Sequence, residues 1–311
     1  MTLPAYRIAG LASAIAEIRP LAHPADQLLH QFFRRHPAMG QQDRAFVADG
    51  VFAYLRRRRS LETLAETTWP ARLALAAATR ELGIGMREME GALTDADAIW
   101  LRAFKSRLST VLAPAVAADL PDWLWDRLGV AYGDAGRESL ARAWLASASL
   151  DLRINPMKTT RDDVQKALAA SGIAAEPTPF SPLGLRIRGR PALARHPLFV
   201  NGDIEVQDEG SQLVGYLLAP KRSEMVVDFC AGAGGKTLLL GALMRSTGRL
   251  YAFDTHDKRL ANLKPRLARS GLSNVHPQVI ANERDTKIKR LAGKIDRVLV
   301  DAPCTGFGTL R

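Results

Sequence analysis

The sequence predicts an α/β protein with a doubly wound parallel sheet in its last third, a small α/β domain before it and an all-helical domain at the start. Residues 1–144 carry apolar side chains three and four positions apart, with no strand-like alternation longer than four residues. Residues 145–215 contain short extended stretches separated by proline and glycine. Residues 216–311 alternate continuous apolar strands with helices, which is typical of a parallel sheet covered on both faces. We therefore predict three domains over these ranges.

The first domain is predicted to be a helical bundle. Asp43 is a candidate cap for the helix that runs to Leu55, because its carboxylate can accept the free amides of a first turn. An alanine-rich helix is predicted over Ala71–Leu82. Pro121 starts a further helix, whose apolar positions are Trp123, Leu124 and Leu128.

The run Arg56–Arg59 lies at a predicted helix end and has two interpretations. Four adjacent guanidinium groups are suited to contact phosphates. Cations also stabilise the carboxyl end of a helix through its dipole. The sequence alone leaves both open.

The second domain is predicted to combine one helix with several short strands. The helix covers Thr160–Ser171, with Thr160 as its cap and Gly172 as its stop. Extended pieces are predicted over Leu152–Asn155, Gly184–Ile187 and Leu198–Val200.

The third domain is predicted to alternate strands and helices regularly. Its strands cover Met225–Cys230, Leu250–Asp254, Pro277–Ala281 and Asp296–Asp301. Its helices cover Lys236–Met244 and Lys258–Ser270.

Charge and composition restrict the partners and the compartment. The formal net charge of +11 is unevenly spread: +2 over residues 1–144, zero over 145–215 and +9 over 216–311. A basic last third favours a polyanionic partner, although arginines on solvated faces give the same count. With two cysteines, no apolar stretch near the ~20 residues of a membrane span and no leader peptide, we expect a cytoplasmic protein without a membrane partner.

The first strand of the third domain leads into a glycine-rich turn, Asp228 to Thr237, that opens a helix. Glycines let a backbone approach a ligand closely, and a helix amino terminus offers free amides. A phosphate-binding P-loop requires a glycine where this chain has Cys230, so we exclude it. An adenosyl or dinucleotide ligand requires an acid after the next strand, and Asp254 lies there.

The fourth strand is followed by Asp301-Ala302-Pro303-Cys304. Ligands bind at the carboxyl edge of open α/β sheets, so Asp301 and Cys304 are predicted to face the same ligand as the glycine turn. An isolated cysteine is usually a small buried hydrophobe. A loop of this composition exposes it and favours a chemical role.

Together these motifs resemble the Sun/RsmB-type RNA cytosine-5 methyltransferases. Their glycine turn resembles Asp-x-Cys-Ala-x-Pro-Gly-Gly-Lys-Thr, and their fourth strand leads into Asp-Ala-Pro-Cys-Ser-Gly-x-Gly. The entry segment Val206–Gln212, the strand Leu152–Asn155 and the helical segment Arg34–Leu55 are similar as well. The resemblance implies a Rossmann-like methyltransferase domain, incomplete at the C-terminus, behind a small α/β domain and a NusB-like RNA-binding domain.

The resemblance also implies S-adenosyl-L-methionine as the cofactor. The residues from Cys230 to Lys236 would wrap its methionine part, Asp254 would hold the ribose hydroxyls with Arg259 nearby, and Asn282 or Asp285 would contact the adenine. The implied cofactor-binding residues are Asp228, Cys230, Ala231, Gly232, Ala233, Gly234, Gly235, Lys236, Asp254, Arg259, Asn282 and Asp301. No metal site is predicted.

The implied substrate is a single-stranded or extruded cytosine in RNA, most simply 16S ribosomal RNA, with transfer RNA as an alternative. Cys304, Asp301 and Lys236 are the candidate catalytic residues. A thiolate that adds at carbon-6 makes carbon-5 nucleophilic, an acid such as Asp301 binds the ring nitrogen, and Lys236 is a candidate to lower the pKa of the Cys304 thiol. We expect the protein to act as a monomer.

The chain departs from the family pattern at several places. Ala233 replaces a proline, Thr305 replaces a serine, and Asn282 replaces an acid. The family's methylating nucleophile belongs to a later Thr-Cys-Ser motif, which residues 1–311 do not contain, so we expect a truncated and inactive fragment. The alternative hypothesis is a non-catalytic RNA-binding or ribosome-assembly protein that keeps the methyltransferase fold.

Overall fold

The computed structural model describes residues 3–146, 148–189 and 191–304. These residues form two compact units, one over 3–146 and the other over 148–304. The second unit contains two separate sheets. For this reason we keep the three-domain division into 1–144, 145–215 and 216–311 as a proposal.

The described part of the first unit is helical and contains no strand, as predicted. Its α-helices are α1 (Ala5–Ile18), α2 (Ala25–Arg35), α3 (Gln41–Arg56), α4 (Arg58–Ala65), α5 (Pro70–Arg80), α6 (Asp95–Arg107), α7 (Pro114–Ala117) and α8 (Asp122–Leu145), the last kinked at Gly133. The apolar faces of α1 to α6 meet in one core that includes Leu11, Phe32, Tyr54 and Phe104, while α7 and α8 form a second cluster around Trp125. The likeness of this bundle to NusB stays a prediction.

Two details of the helical unit differ from the sequence prediction. Asp43 is not the residue before α3. It lies inside the first turn, where its Oδ2 accepts from the Gly40 amide at 3.2 Å and its Oδ1 accepts from Arg7 at 2.7 Å. Trp123 is 55% exposed, and Trp125 fills the core position of α8 instead. The other two predicted positions, Leu124 and Leu128, are buried as expected.

The arginine run marks the junction where α3 ends and α4 begins. Its last three guanidinium groups pair with carboxylates of the same unit: Arg57 with Glu81, Arg58 with Glu62 and Arg59 with Asp122. These arginines therefore tie the junction to neighbouring helices. Their contact with phosphates stays a prediction.

The second unit begins with a four-stranded antiparallel sheet in the order β2-β3-β1-β4. Its elements are β1 (Leu150–Ile154), α9 (Arg161–Ala170), β2 (Ala175–Pro177), β3 (Gly184–Ile187), α10 (Pro197–Val200) and β4 (Ile204–Val206). The Thr160 hydroxyl caps α9 by accepting from the Asp163 amide, as predicted. Val164 and Leu168 of α9 pack on the apolar face of the sheet.

The prediction of an extended piece at Leu198–Val200 was wrong. Residues 197–200 form the single helical turn α10, because Pro197 stands at its first position and the His196 ring accepts from the Leu198 amide. The extended segment lies further along the chain, in β4 (Ile204–Val206), which begins four residues after Val200 and pairs with the central strand β1.

The rest of the unit is a parallel sheet in the order β7-β6-β5-β8, with helices between the strands. Its elements are α11 (Glu209–Leu218), β5 (Met225–Asp228), α12 (Gly235–Leu243), β6 (Arg249–Asp254), α13 (Asp257–Ala261), α14 (Leu263–Ser270), β7 (Val275–Val279), α15 (Thr286–Lys289) and β8 (Arg297–Leu299). Val226 and Val227 of β5 enter different hydrophobic clusters, on opposite faces of the sheet. The doubly wound arrangement is confirmed.

The helix predicted over Lys258–Ser270 is interrupted. It divides at Asn262 into α13 and α14. Pro265 has no amide hydrogen to donate to the carbonyl of Ala261, so the hydrogen-bond ladder cannot continue through this turn. The break lets α14 lie against the glycine turn that follows β5, where its Leu263 touches Gly234.

Candidate active site

The strand order brings four carboxyl ends to one edge of the parallel sheet. The chain order reverses between β5 and its neighbours β6 and β8, and open α/β sheets bind ligands at such a switch point. A cavity of about 870 Å³ lies there. The predicted site residues that line it are Asp228, Cys230, Ala231, Gly232, Gly235, Lys236, Asp254, Arg259, Asn282, Asp301 and Cys304. Ala233 and Gly234 do not line the cavity.

The glycine turn is shaped by two left-handed residues. Gly232 has a φ of 54°, and a Cβ at this position would meet no atom within 4 Å, so the backbone borders open space. Gly234 has a φ of 82°, and a Cβ there would lie 2.1 Å from Leu263. The second glycine therefore serves close packing against α14, while the first leaves room on the cavity side.

Asp254 joins the end of β6 to the glycine turn. Its Oδ2 accepts from the Gly232 amide at 2.8 Å, and its Oδ1 accepts from the His256 amide at 2.8 Å. Arg259 lines the same wall. The carboxylate is thus fixed in orientation at the position that the sequence predicted for ribose recognition.

Asp228 is a buried carboxyl group at the end of β5. Its Oδ2 accepts from the Thr237 hydroxyl at 2.6 Å, while its Oδ1 has no well-formed hydrogen bond with a described residue. Burial raises the pKa of Asp228 to about 6, against the opposing effects of Thr237, the Cys230 amide and the Lys236 charge. Asp228 lines the cavity, but this oxygen is itself buried in the described structure.

Lys236 and Asp301 form an ion pair across the mouth of the cavity. Lys236 Nζ lies 2.7 Å from Asp301 Oδ2 and 3.4 Å from the Ser211 hydroxyl. Cys304 is exposed at the same cavity. Because the ammonium charge is already paired with Asp301, the effect of Lys236 on the Cys304 thiol stays a prediction.

The two cysteines have different environments. Cys230 is half-buried, and burial raises the pKa of its thiol, helped by the negative charges of Asp254, Asp228 and Asp301. Cys304 is exposed. The geometry therefore favours Cys304 as the thiol that meets a substrate. The rest of the predicted motif, Thr305 to Gly308, lies outside the described residues.

The structure separates the two candidates for adenine contact. Asn282 lines the cavity. Asp285 caps α15, where its Oδ1 accepts from the Lys287 amide and its Oδ2 accepts from the Ala281 amide, each at 2.9 Å. Of the two, Asn282 is therefore the one that lines the cavity, with Glu283 beside it, and its Oδ1 accepts from the Arg284 amide at 2.8 Å.

Sequence reasoning missed part of the cavity wall. The omitted residues are Val206, Gln207, Asp208, Ser211, Phe229, Thr255, His256, Arg266, Ile280, Ala281, Glu283, Ala302 and Pro303. Several belong to the segment Val206–Gln212, which carried a recognisable motif before α11. That motif was a signal for these residues, but it did not reveal which ligand they face.

Comparison with known proteins gives the family. A family model described as 16S rRNA methyltransferase RsmB/F matches residues 215–311, and one described as an RsmF/B-like, ferredoxin-like domain matches residues 120–193. A probable ribosomal RNA small subunit methyltransferase B from Synechocystis sp. is 37% identical over 191 residues, covering 61% of this chain and 43% of that relative. The chain thus spans less than half the length of this curated relative.

Two further similarities extend the comparison. A human 28S rRNA (cytosine(4447)-C(5))-methyltransferase is 33% identical over 161 residues, covering 51% of this chain and 20% of that protein. The crystal structure of PH0851 superposes with a TM-score of 0.75, covering 100% of this chain and 76% of that one; at 23% identity this shows the fold alone.

The parallel sheet, the glycine turn after β5 and the acid after β6 define the Rossmann-like fold of S-adenosylmethionine-dependent methyltransferases. Within that class, residues 120–193 and 215–311 match domain models of the RsmB/F family, which is the family that the sequence motifs resemble. In the described residues no helix has the length and apolar character needed to cross a membrane.

Proposed function

We propose that this chain supplies the cofactor-binding and cytosine-binding surfaces of an enzyme that methylates carbon-5 of cytosine in RNA, with 16S ribosomal RNA as substrate. The observation that carries the proposal is the convergence of Asp254, the glycine turn, the Lys236–Asp301 pair and Cys304 on one cavity. The names of the relatives support the substrate class, and the net charge of +9 on the last 96 residues supports a polyanionic partner.

The residues of the cavity fit S-adenosyl-L-methionine. The open space beside Gly232 admits a ligand against the backbone, and the fixed carboxylate of Asp254 is suited to ribose hydroxyls. Asp228 and Asn282 both line the cavity; Asp228 is proposed to accept from the ammonium group, and the amide NH₂ of Asn282, whose Oδ1 accepts from the Arg284 amide, is proposed to contact adenine. When bound, this cofactor supplies an electrophilic methyl group.

Asp301 and Cys304 are proposed to act on the base. Carbon-5 of cytosine is a weak nucleophile, and a thiolate bonded to carbon-6 makes it reactive. Asp301, whose Oδ2 lies 2.7 Å from Lys236 Nζ, is proposed to act in its protonated form and to donate its proton to the ring nitrogen as negative charge develops there. Cys304 is proposed to act at carbon-6. Its thiolate either forms the bond to carbon-6 or assists the cleavage of that bond when the product is released.

The first unit is proposed to contact the RNA, and the protein to act in the cytoplasm. Arg57, Arg58 and Arg59 are already paired with carboxylates. Other basic side chains of the unit, including the exposed Arg102 and Arg127, are therefore proposed to contact the RNA. A bundle of this kind does not dictate a function by itself. Loss of rRNA affinity on deletion of the first unit would support the assignment.

Methyl transfer tests the activity. The gene product that contains this chain, given tritiated S-adenosylmethionine and unmethylated 16S rRNA, is expected to label RNA at a cytosine that becomes resistant to bisulfite. Absence of label from a protein that still binds S-adenosylhomocysteine would refute the activity and favour a non-catalytic RNA-binding protein.

The Cys304→Ala variant assigns the role of the thiol. If Cys304 bonds to carbon-6 first, the variant forms no covalent RNA adduct. If Cys304 assists release, the variant accumulates an adduct that survives denaturing electrophoresis. Cys230→Ala is the matched control, because the half-buried Cys230 is not expected to reach the base.

A further inference from the structure

We infer that Arg153 and Arg266 are positioning residues that hold the backbone of the cofactor turn, so that the antiparallel domain completes the ligand site of the parallel one. The inference rests on the proposed function, because it concerns the ligand of the same cavity. Arg153 belongs to β1 and Arg266 to α14. Neither was identified from the sequence.

Arg266 contacts the turn directly. Its Nη1 donates to the Ala233 carbonyl at 2.7 Å. Its Nε and Nη2 donate to Glu205 Oε2 at 3.0 and 2.8 Å, which fixes the plane of the guanidinium. Glu205 is a buried carboxylate on β4. The antiparallel sheet therefore orients the arginine that holds the carbonyl before Gly234.

Arg153 contacts the other side of the same glycine. Its Nη1 donates to the Gly235 carbonyl at 2.5 Å and to the Gln207 side chain. The side chain is only 4% exposed, and burial lowers its pKa to about 10, so it remains charged at neutral pH. Two cations from different elements thus hold the two carbonyls that flank Gly234.

This arrangement has a consequence for the ligand. The Ala233 carbonyl precedes α12, and its contact with Arg266 keeps it from turning toward the cavity, where it would repel an anionic group; Arg153 contacts the Gly235 carbonyl in the first turn of α12. The ligand part expected beside this turn is the amino-acid end of the cofactor, which carries a carboxylate. We therefore expect Arg153 and Arg266 to raise affinity for this end of the ligand and to leave the adenosine end unaffected.

Arg269 provides a matched control. It donates to the other oxygen of Glu205, Oε1, at 2.7 and 3.2 Å, so it shares the same carboxylate and the same helix as Arg266. Its remaining described contact is with the Phe199 ring, 4.3 Å from the centroid, and no described hydrogen bond joins its side chain to the glycine turn. Substituting Arg269 removes one cation from Glu205 without touching the turn.

The test compares the Arg266→Gln and Arg269→Gln variants of the full chain. Calorimetric titration measures their affinity for S-adenosylhomocysteine, and competition measures their affinity for adenosine, which lacks the amino-acid end. Arg266→Gln is expected to weaken S-adenosylhomocysteine binding by about tenfold or more and adenosine binding by less than about twofold. Arg269→Gln is expected to change both by less than about twofold. Arg266→Lys, which keeps the cation, should restore part of the lost affinity.

Several outcomes would overturn the inference. An equal loss of S-adenosylhomocysteine affinity in Arg266→Gln and Arg269→Gln would show that Arg266 has only a structural role. An equal loss of affinity for S-adenosylhomocysteine and adenosine in Arg266→Gln would show the same. If Arg266→Gln does not fold, the comparison is made with Arg266→Lys and Arg153→Lys, which should each lose affinity for S-adenosylhomocysteine alone. A wild-type chain that binds no S-adenosylhomocysteine would refute the proposed function itself, whereas unaltered binding by the variants refutes only this inference.

Discussion

The helical unit and the α/β unit use arginine in different ways. In the helical unit, Arg59 pairs with Asp122, whose side chain is 73% exposed. In the α/β unit, Arg266 pairs with Glu205, whose side chain is 7% exposed, and also reaches the backbone of the cofactor turn. Water competes for the first pair and is excluded from the second. The Arg59–Asp122 pair therefore adds little stability, while Arg266 is coupled to the site through the Ala233 carbonyl.

Buried carboxyl groups show a parallel difference. Asp119 of the helical unit accepts from the Ser60 amide and the Ser60 hydroxyl, each at 2.7 Å, through its two oxygens. Asp228 of the α/β unit leaves one oxygen without a well-formed hydrogen bond to a described residue. The bundle satisfies its buried acid, whereas the α/β unit leaves one buried oxygen of Asp228 without a well-formed hydrogen bond to a described residue.

The largest expected effect is that of Glu205→Gln. The substitution leaves two partly buried arginines without their shared carboxylate and turns an amide NH₂ toward one of them, so the unfolding free energy of the α/β unit should fall by about 3 kcal/mol. Urea unfolding followed by circular dichroism measures the loss. All five tryptophans lie in residues 1–144, so their fluorescence should report an unchanged helical unit. A loss below about 1 kcal/mol would contradict the account.

Asp228→Asn is expected to stabilise the protein at neutral pH. Since the folded pKa is raised to about 6 from 3.8, protonation favours the folded state, and this contribution is full below pH 3.8 and lost as the pH rises through 6. The amide keeps an acceptor for Thr237 and carries no charge. At pH 7.5 the variant should be about 2 kcal/mol more stable than wild type, with the difference disappearing near pH 4. Equal stability at both pH values would show that burial does not disfavour the ionised carboxyl.

The cysteines provide a smaller test within the α/β unit. Cys304 should react with iodoacetamide at pH 7.5 about tenfold faster than Cys230, because Cys230 is half-buried and its thiol pKa is raised by burial and by the surrounding carboxylates. Peptide mass spectrometry gives both rates in one sample. Faster reaction at Cys230 would reverse the assignment of the substrate-facing thiol.

The smallest effect is expected for Asp122→Asn in the helical unit. The Arg59–Asp122 pair is largely exposed, so its loss should change the unfolding free energy by about 1 kcal/mol or less. Tryptophan fluorescence in urea follows this unit directly. An effect as large as that of Glu205→Gln would remove the distinction between the two units.

The sequence was sufficient to predict which residues follow the strands and line the cavity. Asp228, Asp254 and Asp301 each follow an apolar strand, and parallel strands bring such positions to one edge. It was insufficient where contacts are remote in the chain. Gln207 meets Arg153 across 54 residues and Arg266 meets Glu205 across 61, with no local pattern to mark either.

Local signals also failed where a proline acts on the backbone. The apolar run at Leu198–Val200 suits a strand by composition, yet Pro197 begins a helical turn there. Pro265 divides a helix that periodicity alone predicts as continuous. In both cases the conformational restriction of one residue outweighed the pattern of its neighbours.

Titration of the full chain with S-adenosylhomocysteine, compared between wild type and Asp254→Ala, tests the central claim most directly. Asp254 fixes the Gly232 amide and is the acid expected to hold the ribose. The account predicts one binding site in the wild type and an affinity at least about tenfold lower in the variant. A wild type that binds no ligand, or a variant that binds as tightly as wild type, would contradict it.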